Sequence, residues 1–118
     1  MTDLTTRHVV DTTDAHLRCF THEHPKVFAK FTADHCVIGA ALAACFAHLA
    51  EDPANQDILF VRLHVDENPV AQKLMRERGT PLFASYCQGR LLECDTLTTE
   101  TEVTAQLNRL RAFRPAPP

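Results

Sequence analysis

Two nearly uninterrupted apolar stretches limit what this chain can fold into more than any other feature of its sequence. They are residues 27–31 (VFAKF) and 58–65 (ILFVRLHV), and each is followed by a segment with helical signals. A strand without polar alternation is typical of a sheet that is covered on both faces. These stretches therefore predict an α/β fold in which a central mixed sheet has helices on both faces.

Local signals supply the other elements. A strand is predicted at residues 8–10, helices at 15–20 and 39–51, and a loop at 21–25. Asn68 and Pro69 begin a third helix that ends before Gly79, with Val70, Leu74 and Met75 facing inward. Strands at 82–87 and 90–95 flank a tight turn. Thr99 and Glu102 have capping-box spacing and begin the last helix. The predicted order is βαβαβαββα.

Length and charge restrict the class of protein. A chain of 118 residues predicts one domain, here 1–113, with a proline-rich disordered tail at 114–118. The net charge of −3 gives no reason to expect nucleic acid or an anionic membrane as a partner. Because we find neither an apolar signal segment nor a stretch long enough to span a bilayer, we expect a cytoplasmic protein, monomeric or weakly dimeric.

The cysteine pattern argues against a metal or disulfide framework. No two of the five cysteines have C-x-x-C spacing, so most are predicted to be reduced, buried thiols. The pairs His22 with His24 and His35 with Cys36 match no structural zinc spacing, and no metal is predicted. The five are Cys19, Cys36, Cys45, Cys87 and Cys94.

Cys36 has the most informative position. It follows the first apolar strand after a short bend and precedes an alanine-rich helix. A sulfur there lies beside the free N–H groups of the first helical turn, which favour the reactive thiolate. The alternative is a small buried apolar residue.

Three sequence segments, taken together and in their order along the chain, resemble a known family. The strand leading into Cys36, the segment 66–69 (DENP), and Gly79-Thr80-Pro81 followed by a hairpin occur in the order found in thioredoxins. Over residues 8–112 the chain therefore resembles the thioredoxin family, and the resemblance implies the thioredoxin fold. It also implies that Cys36 is the nucleophile, that the Thr80–Pro81 bond is cis, and that Thr80 pairs with substrate through its backbone.

The active-site motif departs from that family. Where thioredoxins have Trp-Cys-Gly-Pro-Cys, this chain has residues 35–39 (HCVIG), a CxxG motif without the resolving cysteine. Cys45 lies nine residues on, which is the opposite face of a helix. His35 is either a charge that favours thiolate or a solvated loop residue. Val37 and Ile38 either form a contact surface or pack against the Thr80–Pro81 loop.

Two cations replace an acid–base pair that the family often has near the nucleophile. Lys30 stands at the place of the buried acid and Arg62 at the place of its lysine partner. One interpretation is that both expose their charges or pair with Asp66 or Glu67. The other is that they raise the thiolate fraction of Cys36 and favour an anionic adduct such as glutathione.

Two functions follow from these observations. The first is thiol–disulfide exchange by one cysteine, of the monothiol redox, isomerase or deglutathionylation type, with protein thiols or disulfides as partners. It needs no bound cofactor, and glutathione is a candidate external thiol. Ordinary dithiol reductase activity is not expected, because Gly39 cannot release a mixed disulfide. The alternative is a redox-inactive adaptor or chaperone that binds a protein segment over the surface formed by Cys36 and Pro81.

Overall fold

The computed structural model describes residues 8–115, and within them the predicted order βαβαβαββα is confirmed. The strands are β1 (Val10–Asp11), β2 (Lys26–Thr32), β3 (Ile58–His64), β4 (Leu82–Cys87) and β5 (Arg90–Thr96). The helices are α1 (Asp14–Glu23), α2 (Val37–Glu51), α3 (Pro69–Arg78) and α4 (Glu100–Ala112), with 3₁₀ turns at Pro53–Asn55 and Val65–Glu67. Of the predicted tail at 114–118, residues 116–118 lie outside the described part of the chain.

The sheet has the order β1-β3-β2-β4-β5. β1, β3 and β2 are parallel, while β4 runs antiparallel to β2 and β5 antiparallel to β4. Thr32 lies opposite His64, and Phe31 lies opposite Leu82. The carboxyl ends of the two central parallel strands therefore meet the start of β4 at one edge, where open α/β sheets commonly place their sites.

Separate cores lie on the two faces of the sheet, as the continuous apolar strands predict. α1 and α3 cover one face, contributing Leu17, Ala71 and Met75. α2 and α4 cover the other, where four phenylalanine rings pack with neighbouring centroids 5.3–5.9 Å apart. The four are Phe28, Phe46, Phe60 and Phe83. Among residues 8–115, no helix combines the length and apolar character that crossing a membrane requires.

Three local predictions are wrong. The loop predicted from residue 21 begins later, because α1 continues to Glu23 and the Thr21 hydroxyl donates to the Arg18 carbonyl at 2.9 Å. Val70 is 68% exposed, since Ala71 and Met75, one turn apart, take the inner face of α3. The first strand is Val10–Asp11 rather than residues 8–10.

Candidate active site

Cys36 is the N-cap of α2, and two groups contact its sulfur. The Gly39 backbone N–H donates to Sγ at 3.2 Å, and the Thr80 hydroxyl oxygen lies 2.9 Å from it. The side chain is half-buried. When the sulfur is a thiolate both groups can donate to it, so the site offers two hydrogen bonds at the positive end of a helix.

The Thr80–Pro81 loop lies against the start of α2. Its peptide bond is cis, and it follows Gly79, which ends α3 at a φ of 95°. A Cβ atom added to Gly39 would lie 3.6 Å from the Pro81 Cβ atom. The structure thus brings Cys36, Thr80 and Pro81 together. The sequence assigned Thr80 a role only through its backbone, so its hydroxyl contact with Cys36 was missed.

The residues on either side of Cys36 face solvent. Val37 is 80% exposed and Ile38 is 40% exposed. Of the two alternatives for this pair, the structure shows an exposed apolar surface. His35 is also exposed and has a φ of 64°, a conformation that histidine adopts more readily than most non-glycine residues.

Lys30 is buried, which contradicts the interpretation that it exposes its charge. Only 2% of it is accessible, and Nζ donates to the Gly39 carbonyl oxygen at 2.6 Å. Nζ also lies 6.0 Å from the centroid of the Phe46 ring. Burial lowers the pKa of Lys30, Arg62 lowers it further, and the thiols of Cys36 and Cys45 act in the opposite direction.

Arg62 is half-exposed and has a different partner from those considered. Its Nε and Nη2 atoms donate to the two oxygens of Asp11 at 2.7 and 3.0 Å, and this pairing raises the pKa of Arg62. Asp66 and Glu67 were the expected partners. Asp11 takes that place because β1 pairs with β3 and sets Asp11 opposite Arg62. Lys30, Arg62 and Cys36 line one cavity, so both cations reach the site.

The remaining thiols lie in different settings, and the prediction that most are buried is wrong. All five cysteines are free; Cys87 is buried, Cys19 is exposed, and Cys45 and Cys94 are half-buried. Burial raises the pKa of Cys45 and of Cys94. Cys87 pairs with the first residue of β2, about 20 Å of strand away from the end that leads to Cys36. It is therefore badly placed to resolve a disulfide there.

One potential metal-ligating group was not predicted. Asp34, His64 and Asp66 each place a ligand atom within 4.8 Å of the others. His64 Nε2 lies 3.0 Å from an Asp34 oxygen, and the Asp66 N–H donates to Nδ1 at 3.3 Å. These contacts already have a structural use, because they join the bend before Cys36 to the end of β3. The side-by-side carboxyl ends of β2 and β3 were the available sequence signal.

Comparison with solved structures identifies the fold. A mutant thioredoxin from Halobacterium salinarum is 21% identical, with a TM-score of 0.75 over 93% of this chain and 96% of that one. Thioredoxin from Malassezia sympodialis is 19% identical, with a TM-score of 0.76 over 89% and 95%. Thioredoxin f from spinach chloroplast is 17% identical, with a TM-score of 0.76 over 95% and 100%. No family model and no curated protein matches the sequence. The chain has the thioredoxin fold, as the sequence predicted.

Proposed function

We propose that this protein performs thiol–disulfide exchange with Cys36 as its only reacting thiol. The observation that carries the proposal is the setting of the Cys36 sulfur, between the Gly39 N–H and the Thr80 hydroxyl at the start of α2. Both contacts stabilise negative charge on sulfur, and the thiolate is the form that attacks disulfides. The exposed neighbours Val37 and Ile38 leave room for a partner on one side.

The reaction has two steps. In the first, the Cys36 thiolate attacks a disulfide, a new sulfur–sulfur bond forms, and one partner sulfur leaves as a thiolate that takes a proton from water. In the second, a thiolate from solution attacks the partner sulfur of the mixed disulfide, forms a new disulfide with it and releases the Cys36 thiolate. Gly39 has no thiol with which to carry out that second step internally. The chemistry suits isomerisation, deglutathionylation or capture of a partner.

Protein thiols or disulfides are the proposed partners, with glutathione as the proposed external thiol. A structurally similar thioredoxin f2 was solved in complex with ferredoxin:thioredoxin reductase, which supports a protein as partner. The exposed apolar pair beside the sulfur is suited to contact a polypeptide segment.

A second candidate function uses the same surface without chemistry. Val37 is 80% exposed directly beside Cys36, and an adaptor or chaperone needs such an apolar contact area. In that case binding of a protein segment continues when the sulfur is removed.

Incubation with oxidised glutathione, read site by site by mass spectrometry, tests the proposal. We expect one glutathione on Cys36, removed again by fresh reduced glutathione, and none at that position in Cys36→Ser. Exposed Cys19 serves as the internal comparison and should react more slowly. Modification of Cys19 in preference to Cys36 would contradict the redox proposal and favour the adaptor.

A further inference from the structure

Within the part of the chain that the structure describes, the charge of Lys30 has no carboxylate partner. Among residues 8–115, every salt bridge joins other groups, and the only hydrogen bond of Lys30 goes to a neutral carbonyl, that of Gly39. The ionisable groups that act on it are Arg62 and two thiols, Cys36 and Cys45. A buried cation without an anion is costly, so binding of an anion beside Lys30 is electrostatically favourable.

The groups around Lys30 also favour binding of an anion. Arg62 lies opposite Lys30 on the adjacent parallel strand, and its own charge is already matched by Asp11. The first turn of α2 directs its backbone N–H groups to the same side as Cys36. Asp34 is the acid lining this cavity, and His64 contacts its carboxylate at 3.0 Å. Among the described residues, Lys30 therefore forms no ion pair with a carboxylate.

A cavity of about 510 Å³ opens beside these groups. Lys30 and Gly39 line it together with Cys36 and Arg62. This volume lies within the range of small-molecule sites, roughly 300–1,000 Å³. A molecule bound there lies next to Cys36, which lines the cavity.

We propose that this cavity binds the carboxylate of a small acidic thiol or disulfide, so that Cys36 reacts preferentially with negatively charged partners. The proposal rests on the proposed exchange reaction and names its substrate class. A free Cys36 thiolate can act as the counter-ion of Lys30. In a mixed disulfide the sulfur is neutral, so a carboxylate brought by the adduct takes its place. The covalent step is the exchange described above, and the carboxylate undergoes no reaction.

Three small disulfides of different charge test this selectivity. Dithiodipropionate is anionic, hydroxyethyl disulfide is neutral and cystamine is cationic, and the rate of adduct formation at Cys36 is measured for each. Lys30→Met should lower the preference for dithiodipropionate over cystamine by roughly tenfold, the scale of a lost interaction at short range. The rate of adduct formation with each disulfide is compared between the wild type and the variant, so that differences between the leaving groups cancel.

Lys26→Met is the matched control. It removes the same charge from the same strand, but Lys26 Nζ donates to the carbonyls of Arg111 and Phe113, away from Cys36. We expect its selectivity to equal that of the wild type. An equal loss of the preference for dithiodipropionate in both variants, or no loss of that preference in Lys30→Met, would overturn the proposal while leaving exchange at Cys36 intact.

A second measurement does not depend on the reaction. Dithiodipropionate is titrated into Cys36→Ser and followed by amide chemical shifts, which should move at Gly39 and Ala40. The shifts should be lost when Lys30→Met is added to Cys36→Ser. If no disulfide reacts with Cys36 yet these shifts occur, the proposed function fails and the anion site stands. Shifts that persist in the double variant contradict the anion site.

Discussion

At the scale of single residues, Gly39 determines what Cys36 can do. A Cβ atom at position 39 would lie 3.5 Å from the Cys36 Cβ atom and 3.0 Å from its sulfur. Disulfides join Cβ atoms about 3.5–4.5 Å apart. The backbone therefore has the spacing of a dithiol site, although the second thiol is absent.

Gly39→Cys should form a disulfide with Cys36 and give measurable insulin-disulfide reduction, whereas the wild type should show negligible turnover. The physical reason is that a thiol at position 39 can attack the mixed disulfide from within the same helix turn. Turnover is measured with thioredoxin reductase and NADPH as the electron source, because an added small dithiol would itself resolve the mixed disulfide at Cys36. Gly39→Ser, similar in size but without a thiol, is the control, and equal turnover in both variants would contradict this geometry.

Lys30 should reduce stability at neutral pH. Replacing buried charges by apolar groups of similar volume is often neutral or stabilising by about 1–4 kcal/mol, and we expect Lys30→Met to raise the free energy of unfolding within that range. The residue is 2% exposed, and its amine donates to the carbonyl oxygen of Gly39. Urea unfolding of both proteins measures the difference, with Lys26→Met as the comparison.

The pH dependence of that difference has a defined sign. Burial lowers the pKa of Lys30 in the folded protein below 10.5, the value of an unperturbed lysine. Below the folded-state pKa both states hold the proton and the destabilisation is complete. As pH rises from that pKa towards 10.5, the folded state has already lost its proton, so the destabilisation diminishes. The advantage of Lys30→Met should therefore shrink at alkaline pH; an advantage that grows would contradict the assignment.

At the scale of elements, boundaries marked by local chemistry were predictable. The Thr99 hydroxyl accepts from the Glu102 N–H at 3.2 Å, and a Glu102 oxygen accepts from the Thr99 N–H at 3.2 Å. Pro69 and Gly79 bound α3 for reasons equally local to the chain. The end of α1 was not predictable in this way, because Thr21 is buried and its backbone lies near Gly89, in the turn between β4 and β5.

Thr99→Ala should lower the free energy of unfolding by about 1 kcal/mol, the usual effect of losing a helix N-cap. Thr101 lies exposed in the same first turn, and Thr101→Ala should be neutral or slightly stabilising because alanine is the better helix former. Chemical denaturation of the two variants measures both values. Equal effects would show that the capping box contributes little to α4.

At the scale of the whole molecule, the sheet order explains which site residues the sequence could and could not identify. The family resemblance implied that Pro81 lies near Cys36, and the structure explains this proximity because the end of β2 and the start of β4 are neighbours. Nothing in the sequence indicated the partner of Arg62, since Asp11 lies opposite it through the pairing of β1 with β3. The burial of Lys30 likewise runs against the general tendency of lysine to expose its charge.

The central claim is that exchange at Cys36 stops at a mixed disulfide until a second molecule resolves it. The most direct test is the lifetime of an adduct formed at Cys36 with a peptide disulfide, after free thiol is removed, followed by site-resolved mass spectrometry. We predict an adduct on Cys36 that persists without external thiol and disappears when reduced glutathione is added. Spontaneous loss of the adduct with formation of a disulfide between Cys36 and another cysteine of this chain would contradict the account.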